Sequence, residues 1–496
     1  MRALKAMERS KNFWYLLLLT LTFFVLRLPS LFEPNWYGDE GVYQVIGDAI
    51  NKGRLLYSQI WDNKPPLLYI LYSVLGSDQF SVRLMSLIFG LISVFLFYKI
   101  AQKLFLNNRI RLFVTTVFSI LLALPLLEGN IANAENFMIM PTLLSGLVIL
   151  NIKKDNIAKL NNKNLKLALI AGFILSLSFL FKIVALFDFA AFFIFMSIFE
   201  DKKVLEHLRN KNYQAFEVKK LFLFCLGFIF LPIITALFFF LKGAFSQFMS
   251  ATFFSNIGYV GYGNTFIIPQ GFLIVKLLLL GLLIVFLYSK RNSISLGAKF
   301  ILTWFAFTLF DAFFSQRPYT HYLLVLLPSF CLLLGLVLSE RKLRGITLPI
   351  FVASLFLVIS NFNFYIKIFP YYGNFLSLVN NKESIFSYRA FFDRQTPIDY
   401  ELATFIKTNT SKNDSIFIWG NNAQVYKLSD KLPPGRYTVA YHITNYKSGI
   451  TETAKALSKV KPKFIIIMPL NNFPFSLDNY RQRIIIGNAQ IYERVL

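Results

Sequence analysis

The chain has 496 residues, of which 56% are hydrophobic and 57 are phenylalanine, and its formal net charge is +25. Its mean hydropathy is +0.54. A soluble globular protein does not contain so large a share of apolar residues. The composition therefore excludes that class and indicates a multi-span membrane protein. The two cysteines, Cys225 and Cys331, fall inside apolar runs, which argues against a disulfide framework or a thiolate metal site.

Eleven apolar runs that are long enough, or nearly long enough, to cross a bilayer follow one another along the chain. No small-residue cleavage pattern follows the first run, so we expect an uncleaved anchor and not a signal peptide. The sequence therefore predicts an α-helical integral membrane protein with about 11 transmembrane helices. The runs lie near residues 13–29, 82–104, 112–127, 137–151, 167–181, 184–199, 221–241, 271–288, 298–315, 322–338 and 346–369.

The basic residues predict how the chain is oriented in the membrane. They crowd alternate connections, whereas the opposite connections hold few of them, so the positive-inside rule places the N-terminus in the cytoplasm. An odd number of spans then places the C-terminus outside the cytoplasmic (plasma) membrane. We interpret the positive charge as an orientation signal and expect no nucleic-acid partner. The basic connections are 2–11, 99–111, 153–166, 202–220, 290–291 and 341–344.

The first outer loop, residues 30–81, has an unusual density of patterned residues. Apolar residues from Val42 to Ile50 follow helical spacing, which predicts a short helix on the membrane surface. Asp39 and Glu40 open that helix, and a cationic turn around Lys64, followed by two prolines, closes the loop. A carboxylate and a lysine at a bilayer surface suit chemistry on a lipid phosphate.

Each of these charged residues also has a purely structural interpretation. Asp39 alone is explained as a helix N-cap, and Lys64 alone as an interfacial lysine whose ammonium reaches the headgroups. Neither interpretation explains an acidic pair beside a cationic turn.

Three further outer turns carry polar residues. Glu135 precedes the fourth span, Lys182 lies where the fifth and sixth spans meet, and Arg317-Pro-Tyr-Thr-His321-Tyr322 precedes the tenth span. Glu135 could simply favour a helix dipole, and Lys182 could simply mark a helix end. Arg317 suits bidentate contacts with phosphate, whereas a single histidine such as His321 is weak evidence for a metal ligand or base.

The composition changes after Pro370, where the hydrophobic runs shorten and turn residues appear. Strands alternate there with helices, which predicts a small extracytoplasmic α/β domain at 390–496, after a transmembrane domain at 1–370. Its predicted elements are a helix at 398–409, a strand at 415–419, a helix near 450–459 and a strand at 463–468.

These residues, in this order, resemble the GT-C membrane glycosyltransferases, the superfamily of protein O-mannosyltransferases and aminoarabinose transferases, which also includes lipopolysaccharide-core transferases of rhizobia. The likeness covers about 10–370. The segments that carry it are Gly38-Asp39-Glu40, Lys64-Pro65-Pro66, Phe181-Lys182 and Tyr319–Pro328.

The resemblance implies a role for each candidate residue. Asp39 corresponds to the catalytic base with Glu40 beside it, and Glu135 takes the place of a second acidic group. Lys64 corresponds to the lysine that meets the donor phosphate. The other predicted phosphate ligands are Arg317, Tyr322 and Lys182, with Asp62, Tyr319 and His321 as further substrate contacts.

One position departs from the pattern. Asn63 stands before the lysine where some aminoarabinose transferases carry a metal-binding Glu. This departure argues against a metal site, and we expect no cofactor.

The resemblance implies an inverting glycosyltransferase. The enzyme would move a sugar from a polyprenyl-phosphate donor to a hydroxyl of a glycan, lipid or protein at the outer face of the membrane. The alternatives are a lipid or glycan transporter (flippase), a receptor or scaffold built on the 390–496 domain, and, among enzymes, an oligosaccharyltransferase or O-antigen ligase. Transport predicts functional charges near mid-membrane, whereas the candidates here lie at predicted helix ends.

Overall fold

The computed structural model describes residues 2–152, 162–199, 211–256, 273–291, 293–315, 317–446, 448–469 and 472–495. Much of the predicted basic connections 153–166 and 202–220 lies outside the described residues. The chain divides into two compact units, which we call the helical unit and the mixed unit. The helical unit comprises Met1–Leu28, Met85–Phe238 and Ser255–Ile366, and the mixed unit comprises Pro29–Leu84, Phe239–Phe254 and Lys367–Leu496.

The described chain is mostly helical. Its α-helices are α1 (Arg2–Arg27), α2 (Gly38–Asn51), α3 (Pro66–Val74), α4 (Gln79–Leu104), α5 (Asn108–Ala123), α6 (Ala134–Ile149), α7 (Asn162–Phe181), α8 (Ala185–Ile194), α9 (Lys211–Leu241), α10 (Phe245–Met249), α11 (Leu273–Ser289), α12 (Leu296–Ala312), α13 (Leu323–Ser339), α14 (Arg344–Asn361), α15 (Ile368–Val379), α16 (Ile385–Phe392), α17 (Thr396–Asn409), α18 (Gln424–Leu428), α19 (Ala440–Asn445) and α20 (Gly449–Val460).

A helix occupies each of the eleven predicted spans, which confirms an α-helical integral membrane protein. Among the described residues, 6 helical segments are long and apolar enough to cross a membrane, and three shorter apolar helices accompany them. The helices of the other five predicted spans are shorter than 18 residues, for example α5 with 16 and α12 with 17, whereas a perpendicular span needs about 20. The six segments are Lys11–Leu31, Gln79–Leu104, Asn162–Phe181, Glu217–Leu241, Thr320–Ser339 and Arg341–Asn361.

Helices α7 and α9 of the helical unit touch through their backbones. A Cβ atom at Gly172 would lie 2.0 Å from the Phe224 carbonyl oxygen, and one at Gly227 would lie 2.2 Å from that of Leu169. Small residues let membrane helices approach closely and gain van der Waals contact, which matters where lipid offers no hydrophobic drive for association.

The mixed unit contains a four-stranded sheet near the C-terminus. Its strands are β1 (Ile416–Trp419), β2 (Phe464–Ile467), β3 (Tyr480–Ile486) and β4 (Ala489–Arg494), in the order β1-β2-β4-β3. The β1–β2 pair is parallel, and both other pairs are antiparallel. The structure thus confirms the two predicted strands and adds a hairpin whose turn uses the positive φ of Gly487. Helices α15 and α16 were also not predicted.

Within the mixed unit, the 30–81 loop packs against the C-terminal segment. A Cβ atom at Gly41 of α2 would lie 2.8 Å from the backbone nitrogen of Gln424. Further along α2, the Asp48 carboxylate pairs with Lys427 at 2.9 Å. Close backbone approach and an ion pair therefore hold one face of α2 and position its first turn.

We predict that Gly172→Ala lowers the thermal stability of the protein, because the new methyl group meets a backbone oxygen. Overpacking of this kind typically costs about 1–3 kcal/mol. The measurement is thermal unfolding in detergent. Gly281→Ala is the matched control, since a Cβ there meets nothing within 4 Å and alanine favours the helix. Equal melting temperatures for the two variants would contradict the close contact.

Candidate functional site

Asp39 lies in the first turn of α2 and is not its N-cap. The N-cap residue is Tyr37, and Asp39 is the second residue of the helix. Its carboxylate accepts a hydrogen bond from the Tyr43 hydroxyl at 2.9 Å and lies 3.4 Å from the Lys64 ammonium. The Asp39 side chain is 38% exposed. The structure therefore removes the N-cap interpretation and leaves a lysine-paired carboxylate that solvent reaches.

Lys64 is enclosed on several sides and does not extend freely towards headgroups. Its side chain is only 19% exposed, and its ammonium lies between Asp39 and Asp62, 4.0 Å from the latter. The ammonium also lies 4.8 Å from the centre of the Tyr43 ring. Because two carboxylates and an aromatic face surround it, the lysine is fixed in place.

Asp62 anchors the turn that carries Lys64. It is buried and accepts a hydrogen bond of 2.6 Å from the Tyr69 hydroxyl. Burial and the Asp62 charge raise the pKa of Tyr69 well above its usual value, so the phenol stays protonated and donates. The backbone N–H of Lys64 in turn donates to the Tyr69 oxygen at 3.2 Å.

His442, from α19, also reaches this turn and was not among the sequence candidates. Its Nε2 lies 3.6 Å from the Asp62 carboxylate. Burial lowers the pKa of His442 to about 4 despite the neighbouring charge of Asp62, so the imidazole is neutral near pH 7. No sequence signal marked it, because a single histidine far along the chain has no local partner.

Glu40 points away from Lys64 and into a buried ion cluster. The Arg83 guanidinium donates to Glu40 at 3.0 Å and 2.5 Å, and lies 2.7 Å from Glu33. Arg83 is fully buried. Glu33 also accepts hydrogen bonds from Trp36 at 2.7 Å and from Tyr371 at 2.6 Å. The environment of Glu40 favours a structural role over direct catalysis.

A second cluster lies in the helical unit. Glu135, at the start of α6, is buried and paired with Lys182, which follows the last residue of α7. The Lys182 ammonium lies 4.3 Å from the centre of the Tyr322 ring. His321 Nε2 lies 3.8 Å from Glu135, and its Nδ1 lies 2.9 Å from Glu128. Lys182 is thus held by a buried carboxylate and an aromatic face.

The turn before α13 completes this second cluster. Tyr319 stacks on the His321 ring with centroids 5.6 Å apart and is 44% exposed. The Thr320 hydroxyl donates to Glu128 at 2.7 Å. Arg317 is half-buried. Glu128 was not among the sequence candidates, because its position after an apolar run was the one signal that pointed to it. Its φ of 57° makes the chain turn at this residue.

The structure therefore brings some of the sequence-predicted residues together in each unit. In the mixed unit Lys64 lies beside Asp39 and Asp62, whereas Glu40 pairs with Arg83. In the helical unit Glu135, Lys182, His321 and Tyr322 lie together and Tyr319 stacks on His321. Arg317 belongs to the same unit. Within the described part of the chain, no group of three or more His, Cys, Asp or Glu side chains is placed to hold a metal ion.

Comparison with solved structures identifies proteins that have the same fold. No protein-family model matches the sequence, and no curated protein matches it either. Solved structures do match. ArnT from Cupriavidus metallidurans in the apo state aligns over 97% of this chain and 98% of its own, with TM-score 0.54 and 12% identity.

An archaeal enzyme aligns as well. The oligosaccharyltransferase AglB from Archaeoglobus fulgidus, solved with an inhibitory peptide and a dolichol-phosphate, aligns over 92% of this chain and 70% of its own. The TM-score is 0.50 and the identity is 12%. The chain therefore has the same fold as ArnT and AglB, the GT-C fold.

We predict that Glu40→Ala destabilises the protein far more than Asp39→Ala does, although the two residues are neighbours. Removing one partner of a buried ion pair leaves uncompensated charge and costs about 3–5 kcal/mol. The Asp39 side chain, by contrast, has access to water. Thermal unfolding of the two variants in detergent measures the difference. A larger loss in Asp39→Ala would show that the Arg83 cluster does not stabilise this region.

Proposed function

We propose that the protein is an inverting glycosyltransferase that moves a sugar from a polyprenyl-phosphate donor to an acceptor hydroxyl. The observation that carries the proposal is the partly exposed Asp39 carboxylate held 3.4 Å from the Lys64 ammonium. The GT-C fold supports it, and so does the dolichol-phosphate, itself a polyprenyl phosphate, in the AglB structure.

Asp39 is the proposed base. The acceptor oxygen attacks the anomeric carbon from the face opposite the phosphate, and its proton passes to the Asp39 carboxylate. The bond between the anomeric carbon and the phosphate oxygen breaks, and polyprenyl phosphate leaves with the bonding electrons. A carboxylate that solvent reaches can also be reached by an acceptor hydroxyl, and general-base catalysis requires hydrogen-bond reach of this kind.

Lys64 is the proposed ligand of the donor phosphate. A positive charge already fixed by its surroundings stabilises the charge that develops on the leaving group without having to reorganise. The contacts of Lys64 with Asp39 and the Tyr43 ring fix that position. In this scheme Glu40 holds the loop and takes no proton.

The cluster of the helical unit supplies the remaining proposed roles. Arg317 and Tyr322 are proposed to bind the donor phosphate, and the exposed ring of Tyr319 is a proposed sugar contact. Lys182 pairs closely with the buried Glu135, whereas the nearer partner of Lys64 is the partly exposed Asp39. A lysine bound closely to a buried carboxylate is less able to turn to a phosphate, so we propose a positioning role for Lys182. No comparison supports the alternative of a transporter.

The direct experiment supplies the purified protein, in proteoliposomes, with synthetic polyprenyl-phosphate hexoses and pentoses and a panel of acceptors. The panel contains glycans, lipids and serine-containing peptides. We expect one donor to be consumed, with release of polyprenyl phosphate and inverted configuration in the product. Movement of the lipid across the bilayer without any product would support the transporter instead.

We predict that Lys64→Ala weakens binding of polyprenyl phosphate about ten- to a hundredfold, because a charge-assisted contact is worth roughly 1.5–3 kcal/mol. Lys182→Ala should lower turnover more than affinity, since that lysine is held by Glu135. Binding to the variants in nanodiscs measures the difference.

Lys52→Ala is the matched control for both variants, because this lysine of the mixed unit pairs with the exposed Asp430. Wild-type affinity in Lys64→Ala would remove Lys64 from the phosphate site.

A further inference from the structure

The mixed unit contains a cavity of about 520 Å³ that the proposed reaction does not use. It lies beside the C-terminal sheet, between the end of β2, the 473–477 segment and the β4 strand. Its volume falls within the range of sites for small molecules, about 300–1,000 Å³. A cavity of this size can accommodate a small molecule.

Aromatic rings form part of its wall. Phe473, Phe475 and Tyr492 all line the cavity. The Phe473 and Phe475 rings meet edge to face, and both pack in the same way against the buried Trp419 indole, with centroids 6.0 Å and 5.6 Å from it. Because both rings pack against Trp419 and against each other, their positions are fixed. They form an apolar part of the wall against which the apolar face of a ligand can pack.

Polar groups at the cavity are uncharged amides and a phenol. Asn488 and Gln490 line it with exposed side chains, and the Tyr492 hydroxyl donates to Gln490 at 3.0 Å. Each carboxamide offers both donors and an acceptor. Among the described residues that line the cavity, none is charged, which disfavours a phosphate, a nucleotide or a charged peptide.

The sheet also disfavours an extended peptide. The lining residues Ile467 and Gln490 belong to β2 and β4, which are the two inner strands of the order β1-β2-β4-β3. Their backbone groups are already paired with neighbouring strands on both sides. A peptide therefore has no free strand edge at this cavity to extend by main-chain hydrogen bonds.

We propose that this cavity binds a neutral carbohydrate. The combination of fixed aromatic rings with two carboxamides matches a sugar ring, which has an apolar C–H face and a rim of hydroxyls that both donate and accept. The proposal is independent of the transfer reaction, because binding requires neither Asp39 nor a lipid donor.

The test is binding of neutral di- and trisaccharides of glucose, galactose, mannose and N-acetylglucosamine to the full-length protein in nanodiscs. Saturation-transfer NMR and calorimetry provide the readouts. We expect at least one saccharide to bind the wild type. Phe475→Ala and the double variant Asn488→Ala/Gln490→Ala should each weaken that binding at least tenfold. Since both amides are exposed, the double variant keeps the fold even where Phe475→Ala does not.

Two controls match these changes in kind. Phe386→Ala removes a phenylalanine ring that is 66% exposed, and Asn413→Ala removes an exposed amide; neither residue lines the cavity. Both should bind the saccharide as the wild type does. Absence of binding by every saccharide, equal binding by all variants, or capture of an apolar peptide at this cavity in place of a sugar would overturn the proposal. A failed transfer assay would leave this result unaffected.

Discussion

The buried Arg83 guanidinium is the interaction on which the geometry of the candidate site depends. It joins Glu33, which precedes α2, to Glu40 in the first turn of that helix. A fully buried arginine is tolerated only when carboxylates surround it and satisfy its hydrogen bonds. Because Glu40 is fixed in this way, the direction in which the adjacent Asp39 leaves the helix is fixed as well. Tyr371, from α15, closes the same cluster through Glu33.

The adjacent acids Asp39 and Glu40 illustrate how burial assigns different tasks to similar groups. The Glu40 side chain is 4% exposed and has a bidentate partner, whereas that of Asp39 is 38% exposed and faces an ammonium. A carboxylate locked to an arginine is poorly placed to accept a proton. Asp39 lies beside a lysine that can also bind a phosphate. This carboxylate is well placed to accept a proton, because the arriving donor engages the lysine when the base is needed.

Sequence periodicity was sufficient for much of the fold, because apolar runs in a membrane protein must form helices that satisfy their own backbone. The helices of the eleven runs, the helix at 38–51 and two C-terminal strands were predictable from their apolar patterns. The β3–β4 hairpin was missed because β3 is largely exposed, and its polar and apolar residues form separate runs instead of alternating. In the candidate site, the pairing of Asp39 with Lys64 could be predicted because both residues lie in one loop. Arg83, Glu128 and His442 did not, since their partners are distant in sequence and only the tertiary fold brings them together.

The most direct measurement of the central claim is the turnover of Asp39→Asn in membranes with saturating donor and acceptor. This substitution keeps the shape of the side chain and removes the base. The account predicts a fall of about 10²-fold or more, as loss of a general base typically produces, while polyprenyl phosphate still binds. Asp430→Asn, which alters a highly exposed carboxylate of the same unit, should retain wild-type activity. Turnover of Asp39→Asn above about a tenth of the wild-type rate would contradict the account.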